Sequence, residues 1–352
     1  MRLACLWILH LLLLWLPMQA ALAVAPPPGA AAVIRVGPER TIKTIASVAI
    51  LAGAGDTIYV DSGEYMGDVA VWTQDRLTLR AVGGRVKLNA AGASAEGKGI
   101  WVVRAKGMRV QGFDFEGAAV PSRNGAGIRL ETGSLHVKDC SFKHNEMELL
   151  TNNDPNTVLE VENSEFAYNQ RPDGHNHNLY VGQIARLSVR GSYFHHARNG
   201  HLLKSRAALS DIYNNRLVDG EGGTASYELE FPNGGVANVV DNLIAQNTTT
   251  ENPILISFRA EGYKWQRNAI YLENNTLVNP LPRGGMFLRV MTGADSIRAV
   301  NNRLVGAGTL ESAGPGEYQN NISLDLRVDK QVPGVATHNS GSLQRVVQPS
   351  PN

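Results

Sequence analysis

The chain is poor in cysteine, has no surplus of either charge, and contains one long apolar run. Two cysteines occur in 352 residues, and Cys5 lies inside that N-terminal run. Loss of the run would leave Cys140 alone, which excludes an internal disulfide and a cysteine-based metal site. Cys140 stands in a repeat whose other copies carry Ser, Asn or Phe, so a packed thiol is expected. Without cross-links the remaining ~330 residues must rely on their core, and that length can bury one. Lys plus Arg number 33 and Asp plus Glu 32, a formal net charge of +1. Such a balance argues against a general nucleic-acid binder.

The apolar run, MRLACLWILHLLLLWLPMQAALA, opens with Arg2, is interrupted by His10 and ends at Pro17. Ala21-Leu22-Ala23 is a small-x-small cleavage site, so residues 1–23 read as a signal peptide. The run is short for a bilayer span. An uncleaved anchor is the alternative. The expected product is secreted or periplasmic, monomeric, and free of the membrane once cleaved.

Residues 24–33 form a Pro/Ala/Gly linker. In the next segment Ile42, Ile45, Val48, Ala49 and Leu51 recur at roughly helical spacing, and Gly53 follows as a stop. Thr57-Ile-Tyr-Val then reads as a strand. From about Arg76 a repeat takes over: MRVQGFDFEG (108–117), LHVKDCSFKHN (135–145), LEVENSEFAYN (159–169), LSVRGSYFHHA (187–197), and further copies to IRAVNNRLVG (297–306). Their anchors are Phe115, Phe142, Phe166, Phe194, Leu217, Ile244, Leu277 and Leu304, mostly 23 to 28 residues apart. That period predicts stacked coils of short strands, one coil pairing with the next at ~4.8 Å. Asn214, Asn215, Asn242, Asn274, Asn275, Asn301 and Asn302 fall at two fixed positions of successive copies. Asn tolerates a left-handed corner, and stacked Asn side chains can hydrogen-bond along the stack. A short helix before the first strand would cover an open end.

The N-terminal TIKTIASVAILAGAGDTIYVDSGEY followed by Asn-x-apolar coils resembles the right-handed parallel β-helix (pectate lyase-like) superfamily. The resemblance covers residues 34–325 and implies an all-β solenoid with a short N-terminal capping helix. Residues 326–352 read as a partly disordered tail. No single enzyme family is matched.

Each coil carries an earlier strand, among them HNLYVG (177–182), GHLLKSR (200–206), SYELEF (226–231) and ILISFRAEG (254–262). Counting back from the anchors places Asn178, His201 and Glu228 in one outward row and Tyr180, Leu203 and Glu230 in the next. Leu179, Leu202 and Leu229 would face inward. By this count Lys204 falls inward, so the strand is expected to end or bulge before it and release Lys204 and Arg206 outward. Repulsion between these two cations would favour a neutral amine at Lys204. Such a pair suits abstraction of a proton beside a sugar carboxylate, with Lys204 as base and Arg206 holding the carboxylate. His201 or Tyr180 would serve as the acid. A solvated structural pair is the other reading.

Glu228 and Glu230 would stand roughly 6.5–7 Å apart on one face, as glycoside hydrolysis needs, or would pair with Lys204, Arg206 or His201. His175, His177, Asn178, Tyr227, Glu261 and Tyr263 complete the expected substrate contacts. The His-x-His of 175 and 177 makes a metal conceivable, without a recognised spacing. His195 and His196 read as a surface turn. The resemblance implies an acidic polysaccharide as partner, β-elimination at uronates, and calcium in some members. Asp219, Glu221 and Glu228 are the carboxylates that could contribute to a calcium site. No cofactor is certain. Members that hydrolyse galacturonan carry clustered Asp residues, and no Asp-Asp pair occurs in this region. A glycoside hydrolase, a uronate epimerase, a carbohydrate-binding scaffold and an adhesin remain as alternatives.

Overall fold

The computed structural model describes residues 31–169, 171, 176–250, 252–310 and 314–326. The expected leader of 1–23, His175 and the tail beyond 326 lie outside the described residues. Strands dominate, and nearly every pairing is parallel between one coil and the next. Each coil contributes a strand to three walls. One wall is a separate nine-stranded sheet running from Ala70–Trp72 to Met286–Val290. The other two meet at a sharp corner, where Gly112, Asp139, Asn163, Gly191, Asn214, Asp241, Asn274 and Asn301 take positive φ. Asn and Asp tolerate this conformation better than other residues with side chains.

The residue after that corner builds a ladder. Cys140 N donates to Ser164 Oγ at 3.1 Å, Ser164 N to Ser192 Oγ at 3.1 Å, and Ser192 N to Asn215 Oδ1 at 2.9 Å. The row then continues through Asn242, Asn275, Asn302 and Asn321, each Asn Oδ1 accepting the backbone N–H of the coil before it at 2.8–3.0 Å. These amides satisfy buried backbone groups that a tight corner would otherwise strand.

The eight anchors pair in register, from Phe115 and Phe142 through Leu277 and Leu304. They form one continuous inward stack. The Phe rings lie parallel with centroids 4.8, 4.9 and 4.7 Å apart. Each fully buried ring contributes roughly 1.5–3 kcal/mol of burial free energy.

The capping helix is Ile45–Leu51. Thr44 caps it, and Asp68 accepts from Ile45 N and Ala46 N at 2.6 and 2.7 Å. Ile45, Val48 and Ala49 are buried, whereas Leu51 of the expected stripe is exposed. The helix packs on Ala70–Trp72, the edge strand of the nine-stranded sheet, and so protects that edge.

Candidate functional site

Two outward rows run along the nine-stranded sheet. The first places Arg129, Leu150, Tyr180, Lys204, Glu230, Ser257 and Arg289 in register. The second places His177, His201 and Tyr227 in register. The expected rows were therefore one residue off at two strands. The connections to the next wall explain this: residues 182–185 and 232–235 are one longer than residues 206–208. Counting back at constant length shifts Tyr180 and Glu230 relative to Lys204. Leu203, not Leu202 alone, faces the core with Leu179 and Leu229. Leu202 is also buried there, so two consecutive side chains enter the interior and the next, Lys204, points out. The strand His201–Ser205 runs through Lys204 without ending.

Lys204 is the centre of a connected charge network. Its Nζ lies 2.8 Å from Glu230 and 3.2 Å from Glu261. His201 Nε2 approaches the same Glu230 oxygen at 2.9 Å. Burial alone would raise the Glu230 carboxyl, which is 3% exposed, but His201 and Lys204 outweigh it and hold the value down at about 2.

Arg206 donates through Nη1 and Nη2 to the two oxygens of Glu261 at 2.5 and 3.0 Å, a bidentate fork. Its Nε donates to the Tyr180 hydroxyl at 3.1 Å, and Nη1 also reaches Asn233 Oδ1 at 3.3 Å. Burial opposes the charge on Arg206, yet Glu261 and Tyr180 carry its value above the ordinary arginine range. The same fork holds Glu261 below its usual range. On the far side of Glu230, Arg289 Nη2 donates to the Tyr227 hydroxyl at 2.8 Å and to Ser257 Oγ at 3.2 Å. His177, His201 and Tyr227 form a ring ladder, with centroids 4.5 and 5.0 Å apart.

Several expected roles are corrected by this placement. Glu228 is fully buried inside the solenoid, and neither carboxylate oxygen has a hydrogen-bond partner. Desolvation raises it well above the ordinary range, so it is a neutral interior acid rather than a substrate contact. Asn178 also faces inward and donates to Phe166 O and His195 O at 3.1 and 2.9 Å. Tyr263 directs its hydroxyl to Met291 O at 2.9 Å, with Arg259 over its ring, so that hydroxyl already serves the loop.

Asp219 accepts from Ala197 N and Ala225 N in the interior, with burial pushing it up to about 7, while Glu221 is exposed. The Asp219, Glu221 and Glu228 set therefore does not converge on a calcium site. Among the described residues no group of three or more His, Cys, Asp or Glu side chains is arranged to hold a metal ion. His195 is buried and contacts Glu165 at 3.0 Å on another wall.

Arg289, Asn233 and Arg129 were missed in the sequence. Continuing the Lys204 row two coils past Glu230 would have reached Arg289 in MFLRV.

A cleft of about 550 Å³ lined by Arg129, Leu150, Asn152, Asn153 and Tyr180 opens on the N-terminal side of the network. A cavity of about 740 Å³ with an apolar lining that includes Pro253, Ile254, Leu281 and Met286 lies on the C-terminal side. A further cleft, of about 880 Å³, is on another wall, where Arg85 pairs with Asp114 and Lys143 with Glu165. The sheet face is the better candidate because its cations, phenols and histidines converge on one point.

No known protein-family model matches the chain, and no curated protein matches it in sequence. Among solved structures, a pectate lyase, Pel9A, is 12% identical over 87% of this chain and 78% of its own, with a TM-score of 0.46. A pectin methylesterase mutant in complex with hexasaccharide IV is 11% identical over 88% and 98%, with a TM-score of 0.43. The A-module of the mannuronan C-5 epimerase AlgE6 from Azotobacter vinelandii is 12% identical over 79% and 93%, with a TM-score of 0.28. These likenesses are of architecture and assign no reaction. On its own strand pairing, the chain is a parallel β-helix, a solenoid whose successive coils pair in parallel along three walls.

Proposed function

We propose that the protein binds and cleaves an acidic polysaccharide on the outer face of the nine-stranded sheet, by β-elimination at uronate residues. The observation that carries this reading is the Arg206–Lys204 pair, which already holds a carboxylate, that of Glu261, in a bidentate fork plus an ammonium contact. A uronate carboxylate has the same shape and charge. The leader segment supports an exported protein, which would meet such glycans outside the cytoplasm.

The geometry shifts one assignment. Lys204 Nζ sits between two carboxylates, Glu230 at 2.8 Å and Glu261 at 3.2 Å, a setting that suits binding a carboxylate better than taking a carbon-bound proton. We therefore place Lys204 and Arg206 as the cations that bind the carboxylate and stabilise the enolate-like charge. Two phenols flank them, and each oxygen accepts a hydrogen bond from an arginine. Tyr180, held by the guanidinium that grips the carboxylate, is the general base that takes the proton from the adjacent carbon. The electron pair forms the new carbon–carbon double bond and expels the glycosidic oxygen, which Tyr227 protonates. His201 positions Glu230 and, through it, Lys204.

The paired-carboxylate hydrolase reading loses support because Glu228 faces the interior. A uronate epimerase shares the first step, with the proton returned from the opposite face.

The test is a screen of acidic glycans that follows near-ultraviolet absorbance and reducing ends together, with Tyr180→Phe and Tyr227→Phe beside the parent. Both signals should rise together in the parent and fall by about 10²–10⁴ in each variant. Reducing ends without absorbance would overturn elimination in favour of hydrolysis. Altered stereochemistry without shortening would favour epimerisation.

A further inference from the structure

We infer that Glu261 is a built-in stand-in for the substrate carboxylate, a specificity-determining side chain that an incoming uronate must displace. This rests on the acidic-glycan reading above and adds the occupant of its carboxylate position.

The backbone around Glu261 is pinned. Arg259 N donates to Phe231 O at 2.8 Å, Glu261 N to Pro232 O at 2.9 Å, and Lys264 N to Asn233 O at 3.0 Å. Trp265 Nε1 donates to Arg206 O at 3.0 Å, so the loop also buttresses the residue its glutamate grips. The Glu261 side chain is held differently. It is 45% exposed, against 14% for Arg206 and 10% for Lys204, and those two cations are its side-chain partners. A rotation about its own side-chain bonds releases both contacts to solvent without disturbing the loop or the strand.

Glu230, the other carboxylate on Lys204, is different in kind. It projects from a sheet strand, is 3% exposed, and keeps His201 as a second partner. Lys204 therefore retains one fixed counter-charge when Glu261 leaves, whereas Arg206 loses its whole fork. The vacated position presents two guanidinium N–H groups in one plane, one ammonium and the Tyr180 hydroxyl. A planar carboxylate fits this set. A neutral sugar offers nothing that repays separation of Glu261 from Arg206, so Glu261 discriminates against neutral glycans.

A site that must first shed an internal competitor binds more weakly by the fraction of time it stands open. If it is open about a tenth of the time, removing the competitor tightens binding about tenfold. The experiment measures calorimetric affinity of the full chain and of Glu261→Gln for polygalacturonate, polymannuronate and carboxyl-reduced polygalacturonate. Melting temperature checks the fold of each protein. The expected result is tighter binding of at least one polyuronate by the variant, tenfold or more, with no gain for the reduced polymer.

Equal or weaker polyuronate binding by a folded variant would overturn the stand-in role while leaving the acidic-glycan reading intact, since the parent would still bind. An equal gain for the reduced polymer would also overturn it. Failure of both proteins to bind either polyuronate would refute the acidic-glycan reading, and this inference falls with it.

Discussion

Two glutamates of one strand, Glu228 and Glu230, should respond to pH in opposite directions. Glu230 faces out and is held at about 2 against an ordinary value of 4.5. Its depressed value means that its contribution to stability is present above pH 4.5 and is lost as pH falls through 4.5 toward 2. The shift corresponds to about 3 kcal/mol, and at 3% exposure solvent screening takes little from it. Glu230→Gln removes the charge and keeps the shape. The variant should be less stable than the parent by about 3 kcal/mol at pH 7, with the gap closing as pH approaches 2.5. Glu228 is the internal control. Its value is raised, so its contribution is present below pH 4.5 and is lost as pH rises through the raised value. Glu228→Gln should therefore gain on the parent as pH rises above 4.5. Chemical denaturation of the three proteins at several pH values reads both gaps, and titrating groups out of contact with the two glutamates cancel in the differences. A Glu230→Gln gap that does not change between pH 7 and pH 2.5 would refute the ion-pair account. A Glu228→Gln variant that loses stability with rising pH would refute the interior placement.

Two further outcomes follow from the same geometry. Lys204→Met should abolish turnover and also destabilise the fold by roughly 3 kcal/mol, because it leaves the buried Glu230 with His201 alone; an unchanged melting temperature would mean that Lys204 is not part of a buried network. Asn242→Ala removes the acceptor of Asn215 N and the donor to Ile212 O, and should cost about 2–4 kcal/mol as two buried backbone groups lose their partner, read by the denaturation midpoint.

The architecture was legible in the sequence because a solenoid repeats its constraints. Each Phe or Leu anchor and each corner Asn is seen several times, so the register of one coil supports the next. Even Cys140 proved informative: it occupies the ladder position that Ser or Asn fills elsewhere, and burial pushes its thiol up to about 12. The site was legible only in part. Its residue types were found, as Tyr180, His201, Lys204, Arg206, Tyr227, Glu230 and Glu261 do converge. Their rows were misread because one connection between walls is a residue shorter than its neighbours, and because each strand sends two consecutive side chains inward, Asn178 with Leu179, Leu202 with Leu203 and Glu228 with Leu229, which breaks the period-two alternation. Glu228 and Asn178 lie inside for the second reason, and Lys204 points out. The Arg206–Glu261 fork joins residues 55 apart in sequence, a contact that no local pattern announces.

Charge balance ties the site to its proposed ligand. At rest Lys204 and Arg206 face Glu230 and Glu261, two charges of each sign, with Glu261 alone among the four well exposed to solvent. A polyanion approaching this closed set would bring a third negative charge against two positive ones. The added repulsion is about 4 kcal/mol for each carboxylate pair at 4 Å and an effective dielectric of 20. Glu230 cannot relieve it, because it is buried and bound by His201 as well. Glu261 can, because its carboxylate is exposed and its withdrawal restores two against two with the uronate in its place. The arrangement that looks self-satisfied in the free protein is then the one that accepts a single carboxylate at a defined position, with the phenols of Tyr180 and Tyr227 set on either side of it.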